Sequence, residues 1–237
     1  MLFDAHMHLD LMEQPDAYAQ AALSRGEGMF SCTVTPTGFE AARLRWGGLP
    51  GVCVGLGLHP WWLAESSAQA QAQVQRFLEL LPGAPFVGEV GLDFAPAHVG
   101  TQVQQCKALL EVLYACARAG DKVISLHCVR AYGELLGMLH STQVAANNTC
   151  IIHWFSGPHD ALLAALDAGC WFSVGERLLS TKRGRAYLQD IPANRLLLET
   201  DAPPEGDGLQ AAFDAVAALR GQEVAQQACA NGFALFG

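Results

Sequence analysis

Short apolar, β-branched runs alternate along this chain with longer Ala-, Leu- and Gln-rich runs of helical period. The apolar runs predict strands over residues 2–8, 29–36, 52–59, 85–93, 122–128, 150–155, 170–175 and 195–201. The helical runs between them predict helices over 15–25, 37–46, 66–81, 101–119, 131–140, 158–168 and 181–189, with 209–219 and 223–230 after the last strand. Eight strand-helix repeats predict an α/β fold, a (β/α)8 TIM barrel. Parallel strands need crossover helices, and closure at eight strands leaves no free edge. A doubly wound open sheet is the alternative arrangement of the same elements. No repeat or linker divides the chain, so residues 1–237 are expected to form one domain, with DAPPEGDG after residue 200 as a loop.

Polar residues interrupt the apolar strands at equivalent places. His6 and His8 end the first strand and His59 the third, Glu89 and Asp93 lie in the fourth, and His127 ends the fifth. His153 lies in the sixth and Asp201 ends the eighth. In a barrel these are C-terminal strand ends, the face where active sites are assembled. His6 and His8 flank one residue, so an extended strand offers both imidazoles to one side. A lone His in SLHC or IIHWF reads as an ordinary core or surface residue. Glu89 in FVGEVGL and Asp201 after LLLET are different, because a carboxylate in an apolar strand is costly to bury unless paired or bound to a metal. Four histidines and two carboxylates at matching positions predict a metal site.

Composition narrows the partners. Lys plus Arg number 14 against 23 Asp plus Glu, a net charge of −9, which excludes the basic surface that coats duplex DNA. Phosphate affinity would then be local and supplied through metal. Eight cysteines include no C-x-x-C pair and several sit in apolar runs, so they read as buried thiols in a reducing compartment. There is no basic segment followed by an apolar stretch at the N-terminus and no run near the ~18 apolar residues of a membrane span. A soluble cytoplasmic protein with no membrane partner is expected.

In chain order, DAHMHLD, GLHP (57–60), GEVGLD (88–93), SLHCVRA (125–131), IIHWFSG (151–157), LLLETDAP (196–203) and a terminal NGFALF (231–236) resemble the serial motifs of the TatD family of metal-dependent deoxyribonucleases, within the amidohydrolase-like barrels. H-x-H alone is a weak signal; the ordered set is a strong one. The resemblance implies a two-metal hydrolase. His6, His8 and Asp201 would hold one divalent ion, His127 and His153 a second, and Glu89 would bridge them. The ions would be Mg, Mn or Zn, with Co and Ni also suited to imidazole and carboxylate donors. Asp201 would serve as general base or orient the water, and His59 and Arg130 are placed as phosphate contacts.

Further roles are open in the sequence. Asp4 and Glu199 are acceptors for ligand histidines, Arg130 pairs either with phosphate or with Glu134, and Trp61, Trp62, Trp154 and Phe155 either stack on an unpaired base or pack. His98, His140 and His159 read as solvent-facing. The chain departs from the family pattern in FAPAHVGTQ after GEVGLD, in Cys106 where a Phe is expected, in the charged VGERLLS, and in the acidic PPEGDG. LDLMEQP, TVTPT and the HWFSG and CWFSVGE pair resemble a divergent branch, some members of which sit in multi-gene antiviral cassettes. The function expected is 3′ to 5′ exonuclease cleavage of single-stranded DNA. The alternative is hydrolysis of small esters, lactones, amides or aminoacyl esters on the same metals. A non-catalytic partner subunit, with operon partner proteins, is the reading that lost ligands would favour, and none of the six is missing.

Overall fold

The computed structural model describes residues 1–201 and 208–237, so the loop expected after Asp201 lies outside the described residues. Eight strands form one parallel sheet in sequence order: β1 (Phe3–Met7), β2 (Gly28–Cys32), β3 (Val52–Leu58), β4 (Phe86–Asp93), β5 (Val123–Val129), β6 (Thr149–His153), β7 (Trp171–Val174) and β8 (Leu196–Leu198). The last strand returns to the first: Asp201 N–H donates to His6 O at 2.9 Å and Thr200 N–H to Asp4 Oδ1 at 3.1 Å. This is the (β/α)8 barrel, and sequential order with return to β1 excludes the doubly wound sheet.

The crossover helices are α1 (Pro15–Ser24), α2 (Pro36–Trp46), α3 (Ser67–Leu80), α4 (Gln102–Ala119), α5 (Tyr132–Thr142) and α6 (His159–Asp167). The last crossover holds α7 (Glu176–Ser180) and α8 (Lys182–Asp190); α9 (Gly208–Arg220) and α10 (Gln222–Phe236) follow β8. Thr35 caps α2, its hydroxyl accepting from Gly38 N–H at 3.0 Å ahead of Pro36 at the first helical position. Two expectations need correction. Residues 176–180 form a separate helix where the sequence reads as a strand end and rim turn. The final helix runs to Phe236, past the expected 223–230, because Gly232 does not break it; a Cβ there would lie 2.7 Å from Phe3 Cβ.

Two clusters make the core. The larger lies between sheet and helices, and the smaller fills the N-terminal end of the barrel interior with Phe3, Ala5, Phe30, Cys32, Val123, Ile151, Leu197 and Phe236. β1 contributes to this plug through Phe3 and Ala5, yet its next residues facing the interior are His6 and His8. A register shift between Asp4 and Met7 accounts for the change of phase. β4 has a similar shift between Val87 and Glu89. Close backbone approach at Gly91 presses β4 against β5, since a Cβ there would sit 2.0 Å from His127 O. At Gly57 it would sit 1.6 Å from Thr33 O. All eight cysteines are free thiols; six are buried, and Cys53 and Cys106 are half-buried.

Candidate active site

Above the apolar plug the barrel interior turns polar. His6, His8, His59, Glu89, His127, His153 and Glu199 are all buried, and only Asp201 reaches partly into solvent, its side chain 26% exposed. The left-handed backbone of Asp201, φ 64°, turns its carboxylate off the line of β8 toward His6 Nε2 at 3.5 Å and His8 Nε2 at 3.8 Å.

Glu89 stands between two groups of imidazoles. Its Oε2 lies 3.2 Å from His8 Nε2 and 3.6 Å from His6 Nε2. Its Oε1 lies 2.8 Å from His127 Nδ1, 2.8 Å from His153 Nε2 and 3.1 Å from His59 Nε2. Three sets of donors each lie within 4.8 Å of one another: His6, His8 and Glu89; His6, His153 and Asp201; and His59, Glu89 and His127. The sequence pairs His127 with His153; in space His59 also reaches that side.

Hydrogen bonds from the outer ring nitrogens sort these histidines by role. His8 Nδ1 donates to Cys32 O at 2.6 Å and His127 Nε2 to Asp93 Oδ2 at 3.2 Å. Each therefore turns an inward nitrogen to the cluster that is free to carry a lone pair when the ring is neutral, the tautomer of a ligating imidazole. His6 Nδ1 pairs with Ser125 Oγ at 2.7 Å, with Nε2 inward. His59 is the reverse case. Its Nδ1 accepts from Trp61 N–H at 3.1 Å, so its proton sits on Nε2 and points at Glu89. Such a ring is a hydrogen-bond donor toward the cluster. His153 Nδ1 is buried without a hydrogen-bond partner among the described residues, 3.9 Å from Asp201 Oδ1.

Burial and the neighbours shape the charges. Burial pulls His6 down to about 4, reinforced by His153, whose ring stacks on it at 3.9 Å. Burial also opposes charge on His8 and His127, but contacts with Glu89, and with Asp93 for His127, outweigh it and carry both up to about 9. Burial works to raise Glu89, and the surrounding histidines overcome it, holding the carboxyl well below its usual range. Glu199 is pushed up to about 8, chiefly by burial. A buried carboxylate ringed by imidazoles with inward nitrogens, beside an orphaned ring nitrogen, is a donor set that fits a divalent cation.

Other expected residues fall elsewhere. Asp4 accepts from the backbone N–H of His6 and from Thr200, so it ties β1 to β8 and, among the described residues, bonds to no histidine ring. Glu199 Oε1 accepts from Trp154 N–H at 3.0 Å and its Oε2 from Ser173 Oγ, with His153 Nδ1 at 4.0 Å. Arg130 is exposed, with φ 55°, and makes no ion pair with Glu134 among the described residues. Phe155 is core, packed on Tyr132, Phe172 and Tyr187. His98 is half-buried and stacked on Trp61, against the solvent-facing expectation; His140 and His159 are exposed as expected. The ring partners Ser125 and Cys32 O escaped sequence reasoning, although Ser125 lies two residues before His127 on the same strand face.

The chain is 33% identical over 210 residues to a 3′-5′ ssDNA/RNA exonuclease TatD from Musicola paradisiaca, the match covering 85% of this chain and 78% of that protein. It is 35% identical over 150 residues to the protein of that name from Edwardsiella piscicida, covering 62% of this chain and 56% of the relative. Among solved structures it resembles YJJV, a TatD homolog from Escherichia coli k12, with a TM-score of 0.82 and 26% identity over 99% of this chain and 97% of that one. A family model described as TatD related DNase matches residues 3–233, and the chain belongs to that family.

Proposed function

We propose that this chain is a divalent-metal-dependent phosphodiesterase that trims single-stranded nucleic acid from its 3′ end. The observation that carries the reading is the split of Glu89, with one carboxylate oxygen facing His6 and His8 and the other facing His127 and His153. That is the arrangement of a bridging ligand, and the relatives named as 3′-5′ ssDNA/RNA exonucleases support the substrate. His6, His8 and Asp201 would hold one ion, His127 and His153 the other, and Glu89 both. When bound, a pair of divalent ions polarises the phosphodiester, acidifies the attacking water and offsets charge on the leaving oxygen.

The chain's own residues do the rest. Asp201, alone of the cluster in reaching solvent, takes the proton of the attacking water. His59, whose Nε2 proton points at Glu89, would donate it to a phosphate oxygen bound beside that carboxylate. Asp93 holds the ring of His127 and is itself held by Trp61 Nε1 at 2.6 Å. Exposed Arg130, at the C-terminal end of β5, supplies a cation to the strand beyond the scissile bond.

The test is a cleavage ladder. Protein stripped of metal is given Mg, Mn or Zn with end-labelled single-stranded and duplex oligonucleotides, alongside Glu89→Gln. Metal-dependent shortening from the 3′ end is expected, and the variant should lose it. Intact oligonucleotides under every metal, from protein shown to hold two ions, would reject the nuclease in favour of small-ester or lactone hydrolysis. Undiminished cleavage by the variant would reject the bridging role.

A further inference from the structure

The turn that follows β3 carries both His59 and two large exposed rings. Trp61 is 52% and Trp62 42% exposed, whereas Trp46, a packing indole in α2, is 3% exposed. The two exposed rings lie nearly parallel, 26° apart with centroids at 6.0 Å, and His98 stacks on Trp61 at 15° and 5.1 Å. Two exposed indoles, with the half-buried ring of His98 stacked on Trp61, therefore stand at the C-terminal face of the barrel.

The Trp61 ring and the backbone of the turn that carries Trp62 are held in place. Trp61 Nε1 donates to Asp93 Oδ2 at 2.6 Å, and the same oxygen accepts from His127. The turn backbone is pinned by Trp61 N–H to His59 Nδ1, Trp62 N–H to His59 O at 3.1 Å, and Gln73 Nε2 to Trp62 O at 2.8 Å. Both indoles stand edge-to-face with the His59 ring, at 5.0 Å and 5.2 Å. One hydrogen-bonded turn thus presents an imidazole directed at Glu89 on its inner side and flat apolar rings on its outer side. A ring already held in place loses little entropy on binding.

We propose that Trp61, Trp62 and His98 form a stacking platform for the unpaired base of the nucleotide whose phosphate meets His59. This rests on the phosphodiesterase reading and adds to it a residue-level basis for preferring single strands. A base offers a planar π-face of matching size, and stacking is tolerant of base identity because every base has one. A base paired in a duplex has no free face to offer, so the platform discriminates against duplex without any base-specific contact.

The experiment compares thymidylate oligonucleotides that end in an ordinary or an abasic 3′ nucleotide, with the native protein, Trp62→Ala and Trp62→Phe, all loaded with Mn. The native protein should favour the base-bearing end about tenfold through KM. Trp62→Ala should make the two substrates equal, and Trp62→Phe should restore most of the difference. No preference in the native protein, or equal slowing of both substrates by Trp62→Ala, would overturn the platform. Quenching of tryptophan fluorescence by the thymidylate oligonucleotide separates the two readings. Quenching that Trp62→Ala loses, without cleavage, would keep the platform and reject the nuclease; no quenching and no cleavage would reject both.

Discussion

The two ends of the barrel interior are built on the same eight strands and answer opposite demands. The N-terminal end is a hydrocarbon plug in which Phe3 and Phe236 stack at 5.1 Å and Phe30 meets Phe236 at 4.6 Å. The C-terminal end buries five imidazoles and the carboxylates Glu89 and Glu199. Burial stabilises the first by removing apolar surface from water; in the second it costs free energy, which mutual hydrogen bonds and charge contacts offset. Within the barrel interior, burial therefore stabilises one end and is costly at the other. The separation is achieved within single strands, because β1 and β4 shift register where plug gives way to cluster.

Breaking the plug should give the largest effect on folding. Phe30 is fully buried among Phe86 and Phe236, and Phe30→Ala removes a ring that its surroundings cannot close over. A loss of about 3–5 kcal/mol is expected, read as a fall in the denaturant midpoint at unchanged slope. The residual hydrolysis per folded molecule should match the parent. A stability loss under about 1 kcal/mol would show that the plug is not where the fold is anchored.

Stripping the metal should act at the other end and depend on pH. In the metal-free protein His8 and His127 are held up to about 9 against an ordinary 6.5, so folding favours their protonated forms. That contribution is full below pH 6.5 and is lost as pH rises through 9. Metal held as proposed would act oppositely, because ligation needs neutral rings and tightens as protons leave. The rise in Tm on adding Mn to chelator-treated protein should therefore widen from pH 6 to pH 8.5. With metal at about 100 times its Kd the stabilisation is about 3 kcal/mol. A gap that narrows with pH would mean these histidines do not bind the ion.

The contrast between the ends also explains what could be read from the sequence. All eight strands, the crossover helices other than α7 (Glu176–Ser180) and the convergence of His6, His8, Glu89, His127, His153 and Asp201 follow from period and position, because burial and crossover geometry leave few alternatives. The phase change in β1 does not: alternation alone puts Asp4 on the same face as His6 and His8, whereas the bulge gives Asp4 to the β1–β8 seam. The outer ring contacts were hidden for a related reason. Cys32 O is a backbone atom with no sequence signature, and Ser125 looks like any small strand residue until β5 is set across the barrel interior from β1. The direction of the His59 ring proton likewise depends on the backbone of the turn after it, which no residue pattern announces.

A finer comparison lies within the polar end itself, between charges that the cluster uses and one that it keeps neutral. Glu199 shares its strand end with Asp201, yet it is fully buried and its pKa is pushed up to about 8 by burial, with the Asp201 and Asp4 charges adding to the effect. The folded protein holds it protonated at neutral pH, whereas the unfolded chain releases that proton near 4.5. Across this window the unfolded state binds fewer protons, so the carboxyl contributes a stability that is present below pH 4.5 and lost as pH rises through 8. Glu199→Gln replaces the acid with a neutral group of its shape that can still accept from Trp154 N–H. In chelator-treated protein the variant should gain on the parent as pH rises, by on the order of 1 kcal/mol between pH 6 and pH 7, and the gain should level off above 8. Parallel stability curves for the two proteins would instead mean that Glu199 is ionised in the fold and paired with a protonated His153, placing it among the working charges of the site.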